Sequence, residues 1–264
     1  MKNKEFKKIV IKVGTSSITH SNGKLNLKQI DKLARIICDL YNNGKKIVLV
    51  TSGAISAGVA RLNLNGRPTD IASKQAVACV GQNALMEIYN TSFARYGYNI
   101  GQMLLSKYVF DHDVFYENAK NSIFTLWNMN VVPIINENDS ITADEIKMGD
   151  NDNLSSNVAK LIGADLLIIL SDIQGIYDSN PKTNPNAKLL STISANDTEL
   201  IKSLENDQKS DLGTGGIKTK LQAGVNCALS NIDAVVASSQ DLNVIYDILE
   251  GKNVGTNFTG EKTK

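Results

Sequence analysis

Three lysines in this sequence stand beside runs of small residues. Lys12 closes the apolar run Ile9-Val10-Ile11 and leads into Val13-Gly14-Thr15-Ser16-Ser17, and Lys218 and Lys220 fall in Gly213-Thr214-Gly215-Gly216-Ile217-Lys218-Thr219-Lys220. An ammonium next to a turn of glycine and hydroxyls can face a phosphate whose other oxygens accept backbone N–H groups. Glycines also let the backbone approach a phosphate closely, and a helix that begins there adds the positive end of its dipole. For Lys12 taken alone, an ordinary exposed lysine at a strand end is an equally good reading. A flexible linker is the alternative for 213–220, but that run opens directly into the amphipathic pattern Leu221, Val225 and Leu229, which favours phosphate binding.

Carboxylates and amides gather in two clusters. Asn136-Glu137-Asn138-Asp139-Ser140 follows the apolar run Val131-Val132-Pro133-Ile134-Ile135, and Gly149-Asp150-Asn151-Asp152-Asn153 contains no apolar side chain. A pair of Asx-rich turns would produce the same composition. Two further apolar runs also end in polar groups. Ile47 to Val50 ends in Thr51-Ser52-Gly53-Ala54, where the free amides of a starting helix could hold an anion or Ser52 could serve as a plain N-cap. Leu166 to Leu170 ends in Ser171-Asp172. Histidine is scarce, with His20 and His112 alone, and Asp111-His112-Asp113 reads as a solvated turn. Neither a Walker A loop, a dinucleotide fingerprint nor protein-kinase signatures appear. Chemistry built on lysines, carboxylates and backbone amides suits phosphoryl transfer, where positioning and charge neutralisation supply most of the rate.

The elements that would carry these groups alternate. Short apolar runs at Ile9–Ile11, Ile47–Val50, Val131–Ile135 and Leu166–Leu170 read as buried strands, with Asn99–Leu105 as another and Ala234–Ala237 as the last. Between them, helical spacing predicts helices over Leu27–Tyr41 with Asn26 as N-cap and Gly44 as stop, Ser73–Tyr96, Val114–Asn130 with Trp127 on its core face, Asn153–Leu161 and Leu242–Leu249. A proline-punctuated loop follows Ser171-Asp172, and the tail from Gly255 is expected to fray. Such alternation predicts an α/β fold with a mostly parallel, open sheet between helical layers. In such sheets ligands bind beyond the carboxyl ends of the strands, where the polar residues above collect.

Composition narrows the function classes. A formal net charge of +1 over 264 residues carries no bias toward nucleic acid or a membrane surface, so neither partner is expected. Cys38, Cys79 and Cys227 lack paired spacing and read as small buried hydrophobes in a reducing, cytoplasmic setting. The lysine-rich start is cut off at Lys12 before a signal core can form, and no apolar stretch is long enough for a transmembrane helix.

Taken together, the segments at Lys12–Ser16, Thr51–Ile55, Ile135–Asp139, Gly149–Asn153 and Gly213–Lys220 resemble the glutamate 5-kinase branch of the amino-acid kinase family, in the family's order and over nearly the whole chain. The resemblance implies an αβα sandwich in one domain over 1–264. Residues 1–160 would form, approximately, a substrate-binding lobe, 161–255 a nucleotide-binding lobe and 256–264 a tail. It implies transfer of a phosphoryl group from ATP to L-glutamate, with Mg2+ bound through the nucleotide and no dedicated metal ligands. Lys12, Asp152 and Lys220 would be catalytic, with Asp152 holding both lysines. Ser52, Gly53, Ala54, Asp139, Asp150 and Asn151 would bind glutamate. Lys12, Ser171, Asp172, Thr214, Gly215, Gly216, Ile217, Lys218, Thr219 and Lys220 would bind ATP.

Two features depart from the family pattern. Many members carry an additional C-terminal RNA-binding-like domain that this sequence lacks, which leaves open both the expected homo-oligomer and feedback inhibition by L-proline. Ser171 stands where threonine is usual and keeps the hydroxyl. Two other readings compete: a same-fold kinase for another small acid or a nucleoside monophosphate, and a non-catalytic nucleotide-binding regulator. The regulator would need neither paired lysines nor Asp152.

Overall fold

A computed structural model describes residues 4–20, 22–142, 151–181, 183–207 and 216–260. Its strands are β1 (Lys8–Val13), β2 (Lys46–Val50), β3 (Asn99–Leu105), β4 (Val131–Glu137), β5 (Leu166–Ser171), β6 (Thr192–Ser194), β7 (Asp233–Ser238) and β8 (Thr256–Thr259). Among the described residues they form one eight-stranded sheet in the order β3-β4-β2-β1-β5-β7-β8-β6. Every pairing is parallel except β7 with β8. Helices cover both faces, so the central strands are apolar on both sides. Ile9, Val10, Ile11, Ile47, Val48 and Leu49 are all fully buried, which explains unbroken apolar runs where a half-exposed strand would alternate.

The helices are α1 (Thr15–Ile18), α2 (Leu27–Asn42), α3 (Ala54–Arg61), α4 (Ile71–Ala94), α5 (Lys107–Phe110), α6 (Asp113–Asn128), α7 (Asp152–Ile162), α8 (Thr198–Asp207), α9 (Ile217–Ala228) and α10 (Val244–Leu249). Asn26 caps α2 by accepting the Gln29 N–H at 3.1 Å, and Asp70 caps α4 through Ser73 at 2.8 Å. Trp127 is buried on the core face of α6 and donates to the Ile47 carbonyl at 3.0 Å. No helix among the described residues is long and apolar enough to cross a membrane.

β1 lies between β2 and β5, and the chain builds outward from it in both directions. That is the topological switch point, where the loops after neighbouring strands diverge and leave a crevice beyond their carboxyl ends. Lys12 pairs in register with Val50 on one side and Ile169 on the other, so its place is at the mouth of that crevice.

Three expectations need correction. The strand expected to stop at Ile135 continues through Asn136 and Glu137, because both side chains are buried and Leu104 and Leu105 of β3 pair with them. The tail expected to fray from Gly255 instead inserts β8 between β7 and β6. There Phe258 packs over Gly224 of α9, where an added Cβ would come within 2.6 Å of the ring. Thr256 Oγ1 accepts the Ile176 N–H at 2.8 Å and donates to the Leu190 carbonyl at 2.6 Å, which ties the strand down. Residues 261–264 lie outside the described residues. Cys38 and Cys227 are buried, with thiols pushed up to about 12 by desolvation, but Cys79 is exposed on α4.

Candidate active site

Lys12 is the penultimate residue of β1 and is only 1% exposed. Its Nζ lies 2.7 Å from Oδ1 of Asp152, the first residue of α7, which is fully buried. Lys220, in the first turn of α9, places its Nζ 3.1 Å from Oδ2 of the same carboxylate. Thr219 Oγ1 is 2.9 Å from that oxygen and 2.8 Å from the carbonyl of Gly216, the N-cap of α9. The carboxylate therefore receives one lysine from each half of the sequence, and its place in the first turn of α7 suits a negative charge. Breaking such a buried arrangement by removing one partner is costly, because a charge is then stranded away from water. Gly14 lies beside the Lys12 ammonium, where an added Cβ would sit 3.6 Å from Nζ, in ordinary contact.

On the β2 side of Lys12, Ser52, Gly53 and Ala54 make the turn into α3. Gly53 is its N-cap at φ 98°, a left-handed conformation that glycine adopts without strain. Ser52 makes no capping bond, so the plain N-cap alternative does not account for it. Instead Asn151, the N-cap of α7, lies against this turn. Its Nδ2 donates to the Thr51 carbonyl at 2.6 Å and to Asn136 Oδ1 at 2.6 Å, and is 3.2 Å from Ser52 Oγ. Residues about a hundred positions apart in sequence thus share one buried polar cluster next to the lysine–aspartate group.

Asp139 follows β4 in a loop and is 7% exposed, with Oδ1 lacking a hydrogen-bond partner. Burial raises its carboxyl to about 6, with the Arg67 guanidinium acting in the opposite direction. It lines a cavity of about 260 Å³ with Gln82, Gln102 and Glu137. On the β5 side of Lys12, Ser171 is buried at the strand end, and its hydroxyl donates to Asp172 Oδ1 at 3.0 Å. Gly216 and Ile217 open α9, and Lys218 is exposed in its first turn. Asp150, Thr214 and Gly215 lie outside the described residues.

Two participants were not singled out in the sequence, Asn136 as a buried hub and Gln82. Asn136 accepts the Glu137 N–H at 3.0 Å and donates to Gln82 Oε1 at 2.8 Å. Asn136 sat in a recognised polar run; Gln82 carried no signal, being one polar residue in a long helix. Among the described residues no group of three or more His, Cys, Asp or Glu is placed to hold a metal ion.

The amino acid kinase family model matches residues 7–238. A glutamate 5-kinase from Listeria welshimeri is 46% identical over 263 residues, covering 98% of this chain and 95% of the relative. One from Clostridium perfringens is 45% identical over 98% of this chain and 97% of its own length. Among solved structures, carbamate kinase from Giardia lamblia bound to AMP-PNP superposes with a TM-score of 0.66 at 16% identity, covering 96% of this chain and 98% of that one. UMP kinase from Bacillus anthracis gives 0.64 at 15% identity, covering 98% of both chains.

Proposed function

The chain belongs to the amino acid kinase family, and from that premise we propose that it transfers the γ-phosphoryl group of ATP to the side-chain carboxylate of L-glutamate. The products are ADP and L-glutamyl 5-phosphate, and the reaction is the first step of proline biosynthesis. The observation that carries this reading is the pair of buried lysines, one from β1 and one from α9, on opposite oxygens of one buried aspartate at the switch point of the sheet.

The glutamate γ-carboxylate is already an anion at neutral pH, so the attack needs no general base. One of its oxygens bonds to the γ-phosphorus as the bond to the β,γ-bridging oxygen breaks, and that electron pair leaves on ADP. Lys12 and Lys220 flank the transferring group and stabilise its charge, and Asp152 positions both. Ser52, Gly53, Ala54, Asp139, Asp150 and Asn151 hold glutamate. Ser171, Asp172 and the residues from Thr214 to Lys220 hold ATP, on the other side of β1. Mg2+ would be held by the nucleotide's own phosphate oxygens and would supply neutralisation of their charge. This division is the functional content of a substrate lobe over about 1–160 and a nucleotide lobe beyond it. A cytoplasmic location, a homo-oligomer and L-proline feedback belong to the same reading and rest on the family resemblance.

Hydroxylamine trapping of the acyl phosphate tests the assignment. Product is expected with L-glutamate and Mg-ATP, because Asp139 offers a carboxylate to the substrate ammonium. Preference for N-acetyl-L-glutamate, which lacks that ammonium, would overturn it.

A further inference from the structure

We propose that Gln82 is a specificity-determining residue of this site, its side-chain NH2 donating to the α-carboxylate of the amino-acid substrate; the inference rests on the glutamate reading above. Gln82 lies on α4, 8% exposed, at one end of a chain of three buried amides, with Asn136 in the middle and Asn151 at the other end. Two backbone groups fix the orientation of that chain. The Glu137 N–H requires the oxygen of Asn136 on its side, at 3.0 Å, and the Thr51 carbonyl requires the nitrogen of Asn151, at 2.6 Å. Both constraints agree with Asn151 Nδ2 donating to Asn136 Oδ1. The NH2 of Asn136 must then face Gln82, and it donates to Oε1 at 2.8 Å. Gln82 is thereby left with its NH2 turned away from the chain, and Nε2 is buried without a hydrogen-bond partner.

A buried donor left unpaired is unfavourable, and such groups ordinarily have a partner. Gln82 lines the same 260 Å³ cavity as Asp139, whose Oδ1 is also buried and unpaired. An α-amino acid carries an ammonium and a carboxylate on one carbon, so it needs an acceptor and a donor in one small space. Asp139 supplies the first. For the second, the described lining residues include Glu137 and Asp139 but no lysine, arginine or histidine, Arg67 acting on Asp139 from outside the lining, so the donors that the cavity wall itself offers an entering carboxylate are neutral N–H groups. Gln82 is the one whose orientation the amide chain fixes. The other end of that chain adjoins Asp152 and hence both lysines, so a substrate lying along it has its α end in the cavity and its γ-carboxylate at the phosphoryl group.

The test compares L-glutamate with its α-carboxamide, L-isoglutamine, which keeps the γ-carboxylate but replaces the α anion with a group that can donate. Gln82→Glu keeps an oxygen for Asn136 and puts another where the NH2 was. The full-length variant is expected to raise KM for L-glutamate roughly thirtyfold while KM for ATP and kcat stay within about twofold. KM for isoglutamine should rise much less, so the preference for glutamate collapses. Gln82→Met, which removes the donor without adding charge, should lower the same preference and serves if the first variant fails to fold by circular dichroism. Equal losses on both substrates overturn the role of Gln82, as expected if Nε2 held only a water. Wild-type protein that forms no acyl phosphate from L-glutamate would instead overturn the substrate reading itself.

Discussion

Asp139 is the residue where the cost of the site can be read most directly. Its carboxyl is raised from an ordinary 3.8 to about 6 by burial, so the folded protein binds its proton more tightly than the unfolded chain does. The stability associated with that proton is complete below about 3.8 and is lost as pH rises through about 6, a cost on the order of 3 kcal/mol at neutral pH. The proposed role requires the charged form, because a substrate ammonium needs an anion. We expect kcat/KM for L-glutamate to be flat above pH about 6 and to fall about tenfold per unit below it, the free-enzyme value being the one that this parameter reports. Asp139→Asn should remove that pH dependence, raise KM for glutamate, and raise Tm at pH 8. A pH profile of the variant that still bends near 6 would assign the titration to another group. Residue pattern alone announced Asp139 as part of a polar run, and the resemblance gave it a glutamate-binding role; desolvation and Arg67 depend on the loop's placement against α4, which no local pattern encodes.

At the scale of elements, the Ser52–Ala54 turn, to which the proposal gives the substrate's amide donors, is held by the packing of α3 on α4. Gly58 and Gly81 let the two backbones meet: an added Cβ on Gly81 would lie 1.8 Å from the Ala54 carbonyl oxygen and 2.3 Å from the Gly58 nitrogen. Gly81→Ala must push α3 away, and with it Ser52 to Ala54. An overpacking cost of about 3 kcal/mol or more is expected, together with a KM for glutamate that rises more than that for ATP, measured by thermal melts and steady-state kinetics. A variant with unchanged melting and unchanged KM would show that α3 is not the support of this turn. Legibility in the sequence tracked burial on both faces. β1, β2 and β5 were plain as apolar runs, and the caps at Asn26 and Gly44 marked α2. β8 was missed because Phe258 is the one large apolar residue in Thr256–Thr259, and β6 because three residues set no period. The polar ends of β4 looked like loop because their burial depends on partners brought from α4 and α7.

Across the whole molecule, the sheet brings Lys12, near the start of the chain, and Lys220, two hundred residues later, onto one carboxylate from a third segment. The resemblance made all three residues legible as a group; the sequence alone left Lys12 undecided between a buried ligand of phosphate and an exposed strand end. Its burial and its Asp152 partner exclude the exposed strand end. Two ammonium groups converging on one place repel each other, and Asp152 relieves that repulsion while fixing both side chains. In the proposed reaction Asp152 acts through the lysines and touches neither substrate. Steady-state kinetics of Asp152→Asn, with ATP affinity by calorimetry and folding by circular dichroism, tests it most directly. The arrangement predicts a loss in kcat on the order of a hundredfold or more with ATP affinity and KM for glutamate changed far less. A folded variant with near-normal kcat and lost glutamate affinity would make Asp152 a substrate ligand and contradict the account.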